Sequence, residues 1–246
     1  MATTQMEMTG MTAAELRSKV MQLRPKVAVF DCDGTLWDGD AGVGFMNWSL
    51  EQGIVSRSTC DWIDTRHRAY RAGNVNELQI CGEMVQIYAG LREEELSNAA
   101  ARYFAESVKP QIFPEMKALV EDLRGLGTEL WAVSSTNKWI VLEGMREFGI
   151  APERVLAAEV AVAGGVITSD IVDVPTDDGK AASLRRVGLA QPDAVFGNSI
   201  HDLAMLEMAT HAFAINPSPE LLEAAKRHSW TVFRPQGAHS MSSDIS

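Results

Sequence analysis

Three short apolar runs punctuate the chain, and each stops at a polar group. Val27–Phe30 precedes Asp31, Leu130–Val133 precedes Ser134, and Ala194–Phe196 precedes Gly197 and Asn198. Runs this short, without polar alternation, fit strands covered on both faces, the pattern of a parallel sheet. Between and after them the apolar spacing becomes helical: Leu119, Val120, Leu123 and Leu126 predict a helix over Met116–Leu126, and Trp139–Phe148 and Lys180–Val187 look similar. Alternating strands and helices predict an α/β fold with a doubly wound, mainly parallel sheet. Ligands of such sheets bind outside the carboxyl ends of the strands. Three strand ends that each deliver a polar or acidic group therefore imply one site.

Residues 41–112 differ in kind. Helical stretches are expected at Phe45–Gln52, Thr59–Ala72, Glu77–Ala89 and Glu93–Val108, with breaks at Gly53, Gly73–Asn74 and Gly90 and no clear strand. This predicts a helical insertion (41–112) in a discontinuous α/β unit (25–40 and 113–235). Val155–Val162 and Val166–Val172 flank Gly164–Gly165, a hairpin pattern. Phe213–Ile215 and Trp230–Phe233 are expected strands. In the N-terminal extension (1–24) the first eleven residues are expected to fray, and Thr12 and Glu15 form a capping-box pattern for a helix to about Leu23. The Ser-rich tail (236–246) is expected to be disordered.

Charge narrows the function. Lys and Arg number 22 against 33 Asp and Glu, a net charge of −11, which disfavours a nucleic-acid partner, since that would want a basic face. An anionic substrate would have to be held by a few local cations. No run approaches the roughly 20 apolar residues of a membrane span. Cys32, Cys60 and Cys81 make no CxxC pair, and the N-terminus lacks a basic and an apolar leader region. A cytoplasmic location is expected.

Asp31 and Asp33 are two carboxylates two residues apart at a strand end. The loop that follows can turn both onto one site, one as nucleophile and one moving protons, and both can offer oxygen to a hard cation. Gly34 allows close backbone approach. A simple Asp-Gly turn is the plain alternative for this segment taken alone.

The other strand ends extend the pattern, and here the chain resembles the haloacid dehalogenase superfamily in its phosphatase branch. Asp31-Cys32-Asp33-Gly34-Thr35 matches the nucleophile motif, Val133-Ser134-Ser135 the second motif, Gly179-Lys180 the third, and Gly197 to Asp202 the acidic fourth. The likeness covers about residues 25 to 233. The insertion looks like a C1-type helical cap, and Val133 to Asn137 with the Gly-Gly hairpin looks like the phosphoserine-phosphatase-like subgroup. Asp33 separates phosphatases from the dehalogenases, which lack an acid at that position.

The resemblance implies a Rossmann-like core and a Mg²⁺-dependent hydrolase of a small phosphorylated metabolite. Asp31 would be the nucleophile, forming an aspartyl phosphate, and Asp33 the general acid and base. Lys180 would neutralise nucleophile and phosphate, and Ser134, Ser135, Gly34 and Thr35 would bind the phosphoryl group. Asp31, Asp33, Asn198 and Asp202 would form the metal set. Asn198 stands where the family usually has Asp; an amide oxygen can ligate Mg²⁺ but brings no charge. Two alternatives stay open: a phosphotransferase using the same intermediate, and a catalytically weak binding relative. Arg57, Arg66, Arg68 and Arg71 make a locally basic segment that could hold an anionic part of the substrate, although a solvated helix face explains it as well. Asp38 and Asp40 read as loop solubility or as contacts to a substrate amine, His201 as structural, and Cys32 as core packing. Trp37 is the one tryptophan near enough to the first motif to be a candidate substrate contact.

Overall fold

A computed structural model of the chain describes residues 11–238. The chain runs through α1 (Ala13–Leu23), β1 (Val27–Phe30), α2 (Ala41–Glu51), α3 (Arg57–Arg71), α4 (Glu77–Gln86) and α5 (Glu93–Tyr103). There follow α6 (Pro114–Gly125), β2 (Glu129–Asn137), α7 (Lys138–Phe148), β3 (Val155–Ala163) and β4 (Val166–Asp173). The last third holds α8 (Asp178–Arg186), β5 (Ala194–Gly197), α9 (Leu203–Glu207), β6 (His211–Ile215), α10 (Pro219–His228) and β7 (Thr231–Phe233). Thr12 caps α1 as its sequence implies: its side chain accepts from the Glu15 N–H, and the Glu15 carboxylate accepts from the Thr12 N–H at 2.7 Å.

The strands form one seven-stranded sheet in the order β4-β3-β2-β1-β5-β6-β7. Every pairing is parallel except β3 with β4, the hairpin around Gly164–Gly165. Side chains alternate across the sheet. Phe30, Phe196 and Phe213 stand in register on β1, β5 and β6, and their rings stack at 4.4 and 4.7 Å on one face. Val29, Val195 and Ala214 point to the other face, against Leu184, Met205, Leu206 and Leu221. The phenylalanine face belongs to an apolar cluster that continues through Trp37, Phe45, Ile63, Val85, Tyr88 and Phe104, so sheet and inserted helices share one core.

The insertion leaves and rejoins the sheet along paired segments. The Asp38 N–H donates to the Gln111 carbonyl at 2.9 Å and the Phe113 N–H to the Leu36 carbonyl at 3.0 Å. Its four helices fall near where the sequence places them, although α2 begins at Ala41, a turn before the expected Phe45, and α4 ends at Gln86, short of the expected Ala89. The stretch expected as a single helix over Glu93–Val108 is α-helical only to Tyr103; Phe104–Val108 is a π-helical turn and Lys109–Gln111 a 3-10 turn. Pro110 lacks the N–H that an α-helix interior would use, so α-helical bonding cannot continue through it. β2 is also longer than expected, running past Val133 to Asn137.

At the C-terminal end, the Gln236 N–H donates to Glu115 at 2.9 Å and Ala238 packs on the core. The disorder expected over 236–246 thus does not hold for 236–238, nor does the fraying expected over 1–11 hold for Met11, which packs on the core; the rest of both segments lies outside the described residues. No helix among the described residues is long and apolar enough to cross a membrane.

Candidate active site

β1 sits between β2 and β5, where the strand order reverses, the point at which open α/β sheets bind ligands. A cavity of about 410 Å³ opens there. Its floor is made by Asp31 after β1, Ser134 in β2, Lys180 in α8 and Asn198 after β5; its outer wall includes His67, Tyr70 and Arg71 from α3 and Glu77 and Met84 from α4.

Asp31 is buried, with its N–H donated to the Phe196 carbonyl at 2.9 Å. Its Oδ1 accepts from Lys180 Nζ at 2.6 Å and its Oδ2 from the Thr35 hydroxyl at 2.9 Å. Lys180 Nζ also donates to Asp202 Oδ1 at 2.5 Å and more weakly to the Val133 carbonyl at 3.4 Å. Burial works to lower the lysine pKa, but the charges of Asp202 and Asp31 outweigh it and raise the value, so the ammonium stays charged. Two carboxylates share this one cation. Burial and the Asp202 charge push Asp31 up to about 7 against the pull of Lys180.

Asp33 has separate partners. Its Oδ1 accepts from the Trp37 indole N–H at 2.6 Å and the Ala41 N–H at 2.7 Å, and its Oδ2 from the Thr136 hydroxyl at 2.6 Å. Burial and the nearby Asp40 charge push it up to about 6, against these three donors. Trp37, a candidate substrate contact from its sequence position, is instead fully buried and turned onto Asp33.

The floor gives several residues different partners from those expected. The Thr35 hydroxyl is spent on Asp31. Gly34 takes φ +72, donates its N–H to the Trp37 carbonyl at 2.8 Å, and lies so close to Asn198 that a Cβ would stand 1.9 Å from the carboxamide nitrogen. Both the left-handed backbone and the missing side chain therefore require glycine, and the group that approaches it is Asn198. Ser134 Oγ accepts from the Thr136 N–H at 3.1 Å, and the partly exposed Ser135 also faces the cavity. Asp202 is fully buried and does not reach the cavity: Oδ1 holds Lys180, while Oδ2 accepts from the N–H groups of Asn198 and Ser199 at 2.8 and 2.9 Å.

Among the weaker signals, Arg57 pairs with Asp61, Arg66 pairs with Glu83 at 2.8 Å through two bonds, and Arg68 donates to Thr65. Arg71, at the cavity wall, has no carboxylate within 4.0 Å among the described residues. Asp40 caps α2 by accepting from the Val43 N–H at 2.8 Å and also lines the cavity. His201 lies at the cavity rim, bonded to Asp177 at 2.7 Å. Burial and the Arg71 charge lower His67, whose Nε2 has no hydrogen-bond partner among the described residues. Cys32 packs in the core, and burial pushes its thiol well up. Thr136 and the Glu77 side of the cavity carry no expectation from the sequence, and Trp37 was expected against substrate and not against Asp33. Thr136 carried a signal, because it sits two residues from Ser134 and so on the same face of β2.

The strand ends of this doubly wound sheet converge on two aspartates and a buried lysine. The haloacid dehalogenase-like hydrolase model matches residues 28–207, and the chain belongs to that family. Its relatives include a histidinol-phosphatase from Neisseria meningitidis serogroup C (strain 8013), 24% identical over 84% of this chain and 97% of the relative. Phosphoserine phosphatase SerB1 from Mycobacterium tuberculosis (strain ATCC 25618 / H37Rv) is 20% identical over 83% of this chain and 69% of its own. Among solved structures, a protein of unknown function from Bordetella pertussis Tohama I superposes with a TM-score of 0.76 at 22% identity, covering 84% of this chain and 97% of that one. A phospho-aspartyl intermediate analogue of phosphoserine phosphatase matches with a TM-score of 0.57 at 18% identity, covering 85% and 93%. These structural likenesses establish a shared fold.

Proposed function

We propose that the chain is a Mg²⁺-dependent phosphomonoesterase acting on a small phosphate ester through an aspartyl phosphate on Asp31. The observation that carries this reading is the division of labour between two carboxylates two residues apart. Asp31 is bonded to a buried ammonium and faces the cavity floor; Asp33 is bonded to neutral donors and sits beside it. Neighbouring acids in distinct environments are the arrangement by which one attacks and the other moves protons.

The donor set fits a divalent cation. Asp31 and Asp202 place two negative charges against the single Lys180 ammonium, and the Asn198 carboxamide has no hydrogen-bond partner among the described residues. Asp31, the Asp33 carbonyl and Asn198 would hold the ion, with Asp202 behind them holding Lys180. Mg²⁺ when bound would supply the positive charge that lets a carboxylate meet a phosphate dianion.

Asp31 attacks phosphorus, forming its O–P bond as the ester O–P bond breaks. Asp33 gives its proton to the departing alkoxide, then takes one from the water that hydrolyses the aspartyl phosphate. Ser134 donates to a phosphoryl oxygen, and Lys180 fixes the orientation of Asp31. The inserted helices shape the side of the cavity that receives the alcohol.

The test is turnover of a panel of phosphate monoesters with Mg²⁺, with histidinol phosphate and phosphoserine as the first two substrates, joined by mass spectrometry of acid-quenched enzyme. Phosphate release with an 80-Da adduct on Asp31 is expected. Absence of both across the panel, with phosphate still bound, would leave the chain a binding protein; phosphate passing to added alcohols in preference to water would make it a phosphotransferase.

A further inference from the structure

We propose that Trp37 is the positioning residue for Asp33, and that Gly144 sets where its indole stands. The inference rests on the role given to Asp33 above. A buried indole N–H needs a polar partner, and among the described residues the acceptor bonded to it is the carboxylate that has to move a proton. Trp37 is 0% exposed, and its ring is fixed from several sides. Phe104, in the π-helical turn, meets it edge-on at 5.7 Å and 83°, and Phe148 of α7 lies at 6.4 Å. Gly144 of α7 presses on it so closely that a Cβ would stand 2.7 Å from two of its ring carbons. The Gly34 N–H closes the loop by donating to the Trp37 carbonyl at 2.8 Å. An aromatic wedge thus runs from two helices of the shared core to one oxygen of Asp33.

The consequence is a choice between the two carboxylate oxygens. Oδ1 receives two N–H donors, from Trp37 and Ala41, neither of which can accept a proton in return. Among the described residues Oδ2 receives only the Thr136 hydroxyl, which can rotate to accept as well as donate. The transferred proton is therefore carried on Oδ2, and the indole holds the carboxyl plane so that this oxygen meets the leaving group. A hydrogen bond and a ring contact that merely stabilised the fold would have no such effect on chemistry.

Trp37→Phe removes the N–H and keeps an aromatic ring; Gly144→Ala leaves the N–H and displaces the ring. For each, kcat/KM is measured on an alkyl phosphate and on 2,4-dinitrophenyl phosphate, alongside thermal unfolding. A poor leaving group needs its proton and a good one does not. Acid catalysis contributes about 10²–10⁴-fold, so Trp37→Phe is expected to lower kcat/KM about 10- to 100-fold on the alkyl ester and less than about threefold on the dinitrophenyl ester, with a smaller loss of the same kind for Gly144→Ala. In an Asp33→Asn background, Trp37→Phe is expected to add no further loss. Equal losses on both esters, unchanged kinetics with lowered stability, or losses that multiply in the Asp33→Asn background would overturn the proposal. If Trp37→Phe does not fold, Gly144→Ala decides by the same criteria. Should Asp33→Asn alone lower both esters equally, the failure lies with the role of Asp33 and is seen before any Trp37 variant is made.

Discussion

The two ends of the cavity are built in opposite ways. On the floor, Asp31, Ser134, Lys180 and Asn198 are all buried, and Asp31 and Lys180 are each held by two or more hydrogen bonds. On the outer wall, α3 buries only Ile63 along its length, Arg71 is exposed, and His67 keeps an unpartnered nitrogen. The floor has to stabilise charge that develops during a reaction, which works only if the dipoles are already in place. The outer wall meets whatever the phosphate is attached to, where fit matters more than fixed charge. Electrostatic organisation is thus concentrated at the strand ends and relaxed along the inserted helices.

Variants at the two ends separate them by size of effect. The largest is expected at the proposed nucleophile: Asp31→Asn should lower turnover about 10⁴-fold or more, as loss of a nucleophile does elsewhere, with circular dichroism unchanged. Near-normal rates would remove Asp31 from the mechanism. Lys180→Met leaves two buried carboxylates without their cation and should cost about 3–5 kcal/mol in urea unfolding; a loss below about 1 kcal/mol would mean the floor is less dry than its burial indicates.

Asn198 and the proposed cation come next. Asn198→Asp adds a negative charge to the metal set and should lower the Mg²⁺ concentration for half-maximal activity, while Asn198→Ala should raise it. Superimposable Mg²⁺ titrations of the three proteins would take Asn198 out of that set. Acidity gives a related readout. The folded state raises Asp31 from 3.8 to about 7, so between those values the folded chain keeps a proton that the unfolded chain releases. This group's contribution to stability therefore falls as pH rises through that window, and is lost above about 7. Mg²⁺ competes with that proton, so the rise in Tm on replacing EDTA with Mg²⁺ should be larger at pH 8 than at pH 5.5. A smaller rise at pH 8 would contradict it.

The smallest effect belongs to the outer wall. Arg71→Ala should raise KM only about two- to fivefold, because exposed charge pairs are worth up to about 1 kcal/mol. It should do so for phosphate esters that carry a carboxylate and leave kcat unchanged. Equal changes on neutral and carboxylate-bearing esters would exclude a direct contact.

How much of this was legible in the chain follows the same division. β1, β5 and the hairpin are marked by apolar runs and a Gly-Gly pair, and of the floor residues Asp31, Ser134 and Asn198 stand at or just past the end of an apolar run, whereas Lys180 lies in α8. β2 was expected to stop at Val133 because hydrophobicity stops there. The strand continues because Ser134 and Thr136 are polar for a different reason, as they face the cavity and Asp33. Trp37 sits four residues from Asp33 in a loop, where no periodicity announces which way a ring turns; only the surrounding Phe104, Phe148 and Gly144 decide it. The outer wall was least legible. Helical spacing places α3 and α4, but which of their polar side chains meet a cavity depends on how the helices lie on the hairpin.

That last contact governs how the cavity can breathe. The loop between α4 and α5 is laced to β4 and its turn by three backbone bonds: Gly90 N–H to the Ile167 carbonyl at 2.8 Å, Ile167 N–H to the Leu91 carbonyl at 2.9 Å, and Glu93 N–H to the Gly165 carbonyl at 3.0 Å. The Gln86 side chain adds a fourth, to the Ser169 carbonyl at 2.7 Å. Any movement that lifts the inserted helices to admit or release a molecule must either open these bonds or carry the hairpin along. The amides of Gly90, Ile167 and Glu93 are consequently natural reporters of gating: their hydrogen exchange tracks the first kind of motion and stays slow through the second.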